Sequence, residues 1–151
     1  MTILISISVF VVVMSLAEYW IHRLLMHRPW PWKTRLYVRH HILHHKHQRT
    51  DLNIDLPAWE MAVYFLPVWG PTMFFSVAAG LTFLGCAMGY GYLWSKLHRA
   101  FHNVEVNWTL LIPWYYDAAL LHHRMHHVRP TRNLGTVFFW TDRLFGTRFN
   151  A

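Results

Sequence analysis

Ten of the thirteen histidines in this chain fall into four spaced groups: His22-x4-His27, His41-x2-His44-His45, His98-x3-His102 and His123-x2-His126-His127. Imidazole is the commonest metal ligand, and residues three and four apart on a helix share a face, so each H-x2-H-H triplet aims three ring nitrogens at one spot. A chain with four such groups is built to hold metal, and ten ligands suffice for two ions. His40 and His122 each stand four residues before a member of a triplet and are additional ligand candidates, while His47 reads as a surface residue of a basic loop. His22 and His27 are five apart, about 140° on an ideal helix, so they bind different ions or the helix changes between them.

What the groups lack narrows the chemistry. The single cysteine, Cys86, excludes a disulfide framework, an all-cysteine zinc site and a thiolate-held iron–sulfur cluster. There is no Glu-x-x-His pair of the carboxylate di-iron kind and no H-E-x-x-H of the zinc-peptidase kind. With only seven acidic residues, the ligands are neutral and leave the metal strongly positive. That suits ferrous ions that bind and reduce dioxygen, although imidazole accepts iron, zinc, copper and nickel alike.

The elements that gather these groups belong to a membrane. Hydrophobic residues make up 54% of the 151 and charged residues 14%, too apolar for an ordinary soluble domain. Met1 to Ala17 carry no charge and lead through Glu18 to Tyr19 and Trp20, a first transmembrane helix over about 2–21. No basic segment precedes it and no A-x-A site follows, so it is expected to stay in the mature protein. Met61 to Ser95 is 35 residues without a charge. As one helix it would run about 52 Å, against a hydrocarbon core of roughly 30 Å. It must fold back, and a turn near Gly80 predicts spans over about 60–79 and 81–98, the former kinked at Pro67 and Pro71. Pro113 opens an interfacial helix over about 113–127 that ends in the last histidine cluster. The expectation is one all-α domain, 1–151: an integral membrane helical bundle with about three transmembrane helices and a cytoplasmic histidine-rich helical cap.

Three crossings put all four histidine groups on one side of the membrane, together with the basic residues from Arg23 to Arg49 and from Lys96 to Arg148. By the positive-inside rule that side is cytoplasmic, with the N-terminus outside and the C-terminus inside. The net charge of +7 thereby finds a membrane explanation rather than a nucleic-acid one. Trp30, Trp32, Trp59, Trp94, Trp108 and Trp114 flank the cytoplasmic ends of apolar segments and read as a belt, with a substrate groove as the alternative. Ala78, Ala79, Gly80, Gly85, Gly89 and Gly91 would admit either close helix packing or a lipid tail.

The histidine groups, followed by Asn133-Leu-Gly135 and by Trp140-Thr-Asp142-Arg-Leu-Phe-Gly146-Thr, resemble the fatty acid hydroxylase / sterol desaturase superfamily of membrane di-iron oxygenases, from about Glu18 to Thr147. The resemblance implies two iron ions, which zinc can replace, dioxygen as co-substrate, a membrane lipid as substrate, and electrons from a separate donor protein and reductase. It implies His22, His27, His41, His44, His45, His98, His102, His123, His126 and His127 as ligands. The expected reaction is hydroxylation of a lipid C–H bond, with desaturation or carotenoid hydroxylation as alternatives. The 13 residues between His27 and His41 and the D-R-L-F-G-T tail look more like the fatty acid and sterol branch. A membrane metal carrier, the rival from another class, would place polar ligands along a path through the membrane, and Met61 to Ser95 offers no charge or imidazole for one. Among acidic residues near the histidines, Glu18 and Asp117 are the first candidates to hold a ligand's outer N–H, ahead of Asp51, Asp55 and Asp142.

Overall fold

A computed structural model of the chain describes residues 2–29, 34–47, 56–103 and 113–150. Trp30, Trp32, Arg49, Asp51, Asp55, Trp108 and the chain ends lie outside the described residues. The regular elements are all helical. α1 (Thr2–Ile21) runs straight on into a wider turn, His22–Met26, and the short α2 (Arg35–Tyr37) into a second, Val38–Lys46. In both, the winding is π-helical, N–H bonding the carbonyl five residues back, as His47 N–H does to the Ile42 carbonyl at 3.1 Å. α3 (Ala58–Tyr64), α4 (Leu66–Phe75), α5 (Val77–Phe101), α6 (Pro113–Val128) and α7 (Trp140–Leu144) follow.

Ile3–Met26 and Val77–Phe101 are each long and apolar enough to cross a membrane. The intervening arm comes in two pieces. Pro67 has no N–H for the Val63 carbonyl, so α3 stops at Phe65 and α4 begins afresh. The chain reverses at Ser76, four residues before the expected turn at Gly80. Ser76 is extended (φ −159°, ψ 109°), and its hydroxyl accepts the Ala79 N–H, capping α5. Gly80 is instead where α4 and α5 touch: a Cβ there would lie 2.9 Å from the Met73 nitrogen. At Gly91 a Cβ would lie 2.8 Å from the Leu56 carbonyl oxygen, so these two small residues serve backbone approach, whereas Gly85 and Gly89 face open space.

α5 is the central helix, packed by α1, α3 and α4, with Met14, Ala87, Trp94 and Leu97 buried among them. Outward, α1 presents Ile3, Leu4 and Ile5, and the α4–α5 reversal presents Phe74 and Phe75, each nine-tenths exposed. Apolar surface of this extent suits lipid. Trp59 and Trp114 are exposed as belt residues should be, but Trp94 is not: it lies inside against His98, ring centroids 4.5 Å apart.

Candidate metal centre

The helices bring ten histidines into two groups of five. One holds His22 and His27 from the end of α1, His40 and His45 from the second wide turn, and His126 from α6; the other holds His44, His98 and His102 at the end of α5, and His123 and His127 from α6. Within each group the ligand atoms lie within 4.8 Å of one another. Nine are the expected residues, with His40 in place of His41. The reason lies in the winding. On an α-helix His41, His44 and His45 would share a face, but one more residue in each hydrogen-bonded ring aligns residues four and five apart. His40, His44 and His45 then turn inward and His41 turns out, half-buried, its ring stacked on Tyr37 and its Nδ1 3.2 Å from Nδ1 of His27. The same winding brings Nε2 of His22 and His27 to 3.2 Å, placing them in one group despite their spacing of five.

Distances test whether a metal fits. In the first group the Nε2 atoms form a closed ring: His22–His40 2.8 Å, His40–His45 3.1 Å, His45–His126 3.0 Å, His126–His27 3.1 Å and His27–His22 3.2 Å. Six-coordination at bonds of about 2.1 Å puts adjacent nitrogens about 3.0 Å apart and opposite ones about 4.2 Å, whereas a tetrahedron would put them about 3.4 Å apart. The ring's spacings lie closer to the former, so these five residues could together hold a metal ion. In the second group His44–His127 is 3.2 Å, His127–His123 3.1 Å and His123–His102 2.9 Å.

Hydrogen bonds between imidazoles can pair the Nε2 atoms of the first group, but among the described residues they leave nitrogens of the second unmatched. His22 donates its Nδ1–H to the Leu134 carbonyl and His126 its Nδ1–H to the Arg132 carbonyl at 2.8 Å, so both present bare lone pairs at Nε2. His27 Nε2 stands between them and can donate to only one. His98 is fully buried, and neither of its ring nitrogens is hydrogen-bonded among the described residues. The unmatched nitrogens of the second group and the crowding of ligand atoms in both suit a cation. Burial, reinforced by neighbouring imidazoles, holds His40, His45, His123 and His126 below the usual histidine range, His27 down to about 2 and His127 to about 4. At neutral pH each therefore offers a lone pair without first losing a proton.

The segment 132–138 supplies the carbonyls that orient His22 and His126, and two buried carboxylates grip it. Asp142 accepts the N–H of Leu134 (2.9 Å) and Gly135 (2.8 Å), the Thr147 hydroxyl (2.6 Å) and His122 Nε2 (3.0 Å). Burial would raise the Asp142 carboxyl, but the hydrogen bonds from His122, Thr147, Gly135 and Leu134 outweigh it and hold it below the usual range. Glu18 accepts the N–H of Thr136 (2.6 Å), Val137 (2.9 Å) and Phe138 (3.1 Å). Asn133 holds the left-handed turn that starts the segment (φ 53°) and bonds the His122 carbonyl and both polar backbone atoms of Phe149. Glu18 thus supports His22 through the backbone rather than by touching it. Asp117 is exposed on α6, and His122 serves Asp142 instead of either group. Sequence reasoning had no signal for the carbonyls of Arg132 and Leu134, since any residue supplies one, but the N-L-G and D-R-L-F-G-T motifs that position them were visible.

Beneath His22 lies an apolar cavity of about 220 Å³, walled by Met14, Glu18, Ile21 and Leu25 on α1 and its extension, by Met61 and Tyr64 on α3, and by Tyr90 and Trp94 on α5. Met14 on its wall is buried, and Tyr64 is the most exposed of the residues around it. No solved structure matches the chain. The family model for fatty acid hydroxylase matches residues 7–147. Its two apolar helices, its histidine groups and this match together establish the chain as a membrane protein of the fatty acid hydroxylase family.

Proposed function

We propose that the two histidine groups hold a pair of iron ions and that the protein hydroxylates a C–H bond of a membrane lipid lying in the cavity beneath His22. The observation that carries this reading is that one apolar cavity is walled by a member of the first group. The bound iron pair supplies dioxygen reduction. The balance is one C–H bond, one dioxygen, two electrons and two protons giving one alcohol and one water. The donor set favours iron over structural zinc, because five imidazole nitrogens at adjacent spacings near 3.0 Å suit six-coordination, and structural zinc is four-coordinate. Zinc still competes in an overexpressed sample, since it binds such ligands more tightly than ferrous iron.

The chain's own residues bind, orient and exclude water. Met14, Ile21, Leu25, Met61 and Trp94 take an apolar chain out of the bilayer and keep water from the reacting carbon. A cavity of about 150 Å³ holds a benzene ring, so about 220 Å³ holds a chain segment or a single ring more readily than a whole sterol nucleus. The Leu134 and Arg132 carbonyls keep His22 and His126 aimed at the metal throughout. Electrons come from a separate donor protein on the histidine side. That side is cytoplasmic, with Met1 outside, by the distribution of basic residues.

The test is expression in a host that supplies sterols, carotenoids and varied acyl lipids, with lipid mass spectrometry under isotopically heavy dioxygen. A lipid carrying one heavy oxygen is expected. A species lighter by two hydrogens and unlabelled would make the protein a desaturase, and no dioxygen-dependent change despite bound iron and a competent reductase would sink the oxygenase reading.

A further inference from the structure

The winding that turns His40 inward in place of His41 needs a cause outside its own segment, since Val38–Lys46 holds no proline or glycine to disturb an α-helix. Arg39, the residue before His40, supplies a contact of the right kind. It is only 12% exposed, and its Nη1 lies 3.5 Å from both carboxylate oxygens of Glu60 on α3. Glu60 is 4% exposed and is itself held in place. The Tyr64 hydroxyl donates to its Oε2 at 3.4 Å, and its neighbour Met61 is buried against Gly91 of α5. Arg35 adds a contact to Glu60 at 3.7 Å, but it is 71% exposed, and solvent weakens such a pair.

Helical geometry shows what pinning Arg39 does. At about 100° per residue, an α-helix puts His41, His44 and His45 about 200°, 140° and 240° round from Arg39, centred almost opposite it. At about 4.4 residues per turn, π-helical winding puts His40, His44 and His45 about 80°, 50° and 130° round, centred to one side of it. With its ligands facing the metal, the turn therefore points Arg39 sideways in the π winding and straight away from the metal in the α winding. Glu60 receives it in the first case. The second swings it about 100° further round, off α3.

We infer that Glu60 is a positioning residue of the first group: through Arg39 it sets the register of the second wide turn, and so decides which of two adjacent histidines, His40 or His41, meets the metal. The inference rests on the reading of the histidine groups as metal sites. Setting a register is a use to which a buried ion pair is well suited, because the alternative register leaves a charge buried without its partner.

Iron counting after anaerobic reconstitution of the full-length protein with ferrous iron tests this, with His40→Ala and His41→Ala each made in the wild type, in Glu60→Gln and in Arg39→Gln. In the wild type His40→Ala should lose one of two ions and His41→Ala none. In both pair-breaking backgrounds the dependence should reverse, His41→Ala losing one ion and His40→Ala none. Arg39→Lys, which keeps the pair, should behave as the wild type does. Unchanged dependence on His40 in Glu60→Gln and Arg39→Gln would overturn the inference and leave the metal reading intact, as would dependence on His41 in the wild type. Loss of the ion in both pair variants with His40 and His41 present would also overturn it, making the pair a brace of the fold that selects no ligand. A wild type that binds no iron would remove the metal reading and this inference together. Arg39→Gln decides the matter should Glu60→Gln fail to fold.

Discussion

Replacing Asp142 by Asn should loosen one metal site from a distance, through the backbone. Asp142 is fully buried and hydrogen-bonds no member of either histidine group among the described residues, yet two of its four acceptor bonds pin the Leu134 and Gly135 N–H groups, and the Leu134 carbonyl takes the His22 Nδ1–H. In Asp142→Asn the amide oxygen can replace Oδ1 and keep the Leu134 N–H and the Thr147 hydroxyl, and His122 can change tautomer and accept. The new NH2 then faces the Gly135 N–H, a buried donor against a donor. Flipping the amide only moves the clash to Leu134. One unmet buried N–H with that opposition costs about 2–3 kcal/mol, or about 4 to 12 °C in Tm. The Gly135 N–H and the Leu134 carbonyl belong to one peptide, so with that peptide loosened His22 loses its orienting carbonyl, and metal affinity in the first group should fall about 10–100-fold. The ring nitrogens bonded to this segment's carbonyls among the described residues, those of His22 and His126, belong to the first group, so the second should keep its ion. Thermal unfolding and chelator titration of the iron-loaded protein check both effects: one of two equivalents should leave at about 10–100-fold lower chelator than in the wild type. Both ions leaving together at the wild-type concentration would refute the coupling through Leu134, even if Tm fell.

His40→Ala should cost the first group its ion while His41→Ala leaves metal content at the wild-type level, a contrast read by elemental analysis and reversed if the α-helical register holds in the loaded protein. The metal-free protein should lose stability as pH falls. Histidines held down to about 4 (His127) and about 2 (His27) stay neutral in the fold, while the unfolded chain takes up protons below about 6.5, so stability present above that pH drains away from about 6.5 towards 4, as an acid titration of Tm would show. Gly91→Ala should destabilise by about 1–3 kcal/mol through the Leu56 carbonyl and the Met61 side chain, whereas Gly85→Ala should be neutral or slightly stabilising, compared by thermal unfolding in one detergent. Cysteines placed at Met1 and His47, in a chain with Cys86 removed, should label from opposite sides of sealed vesicles; labelling from one side would undo the crossing scheme.

The histidine spacing carried much of this centre into view because a ligand must be a particular residue type, and four groups of one type are visible in a line of text. The two long apolar helices were legible for a similar reason, since charge-free runs have few other uses, whereas the span expected over 60–79 is divided into α3 and α4. What stayed hidden was backbone. The shift from His41 to His40 depends on π-helical winding, to which no residue type in Val38–Lys46 points, and the spacing of five in His22/His27 hinted at it without identifying it. The reversal comes at Ser76 rather than Gly80, and Pro67 cuts the arm at Phe65, a break the sequence suggested only as a kink. Asp142 ranked below Asp117 because closeness in sequence stood in for closeness in space. The fold exposes Asp117 and buries Asp142 beneath the segment that orients His22.

The central claim is that two separate groups of five imidazoles each hold one ion, and anaerobic reconstitution with ferrous iron followed by metal counting tests it most directly. The wild type should retain two irons per chain, a variant with His40 and His126 changed to Ala should retain one, a variant with His98 and His123 changed to Ala should retain one, and the fourfold variant should retain none while remaining folded by circular dichroism. Two irons retained by either double variant, or iron retained by the fourfold variant, would contradict it.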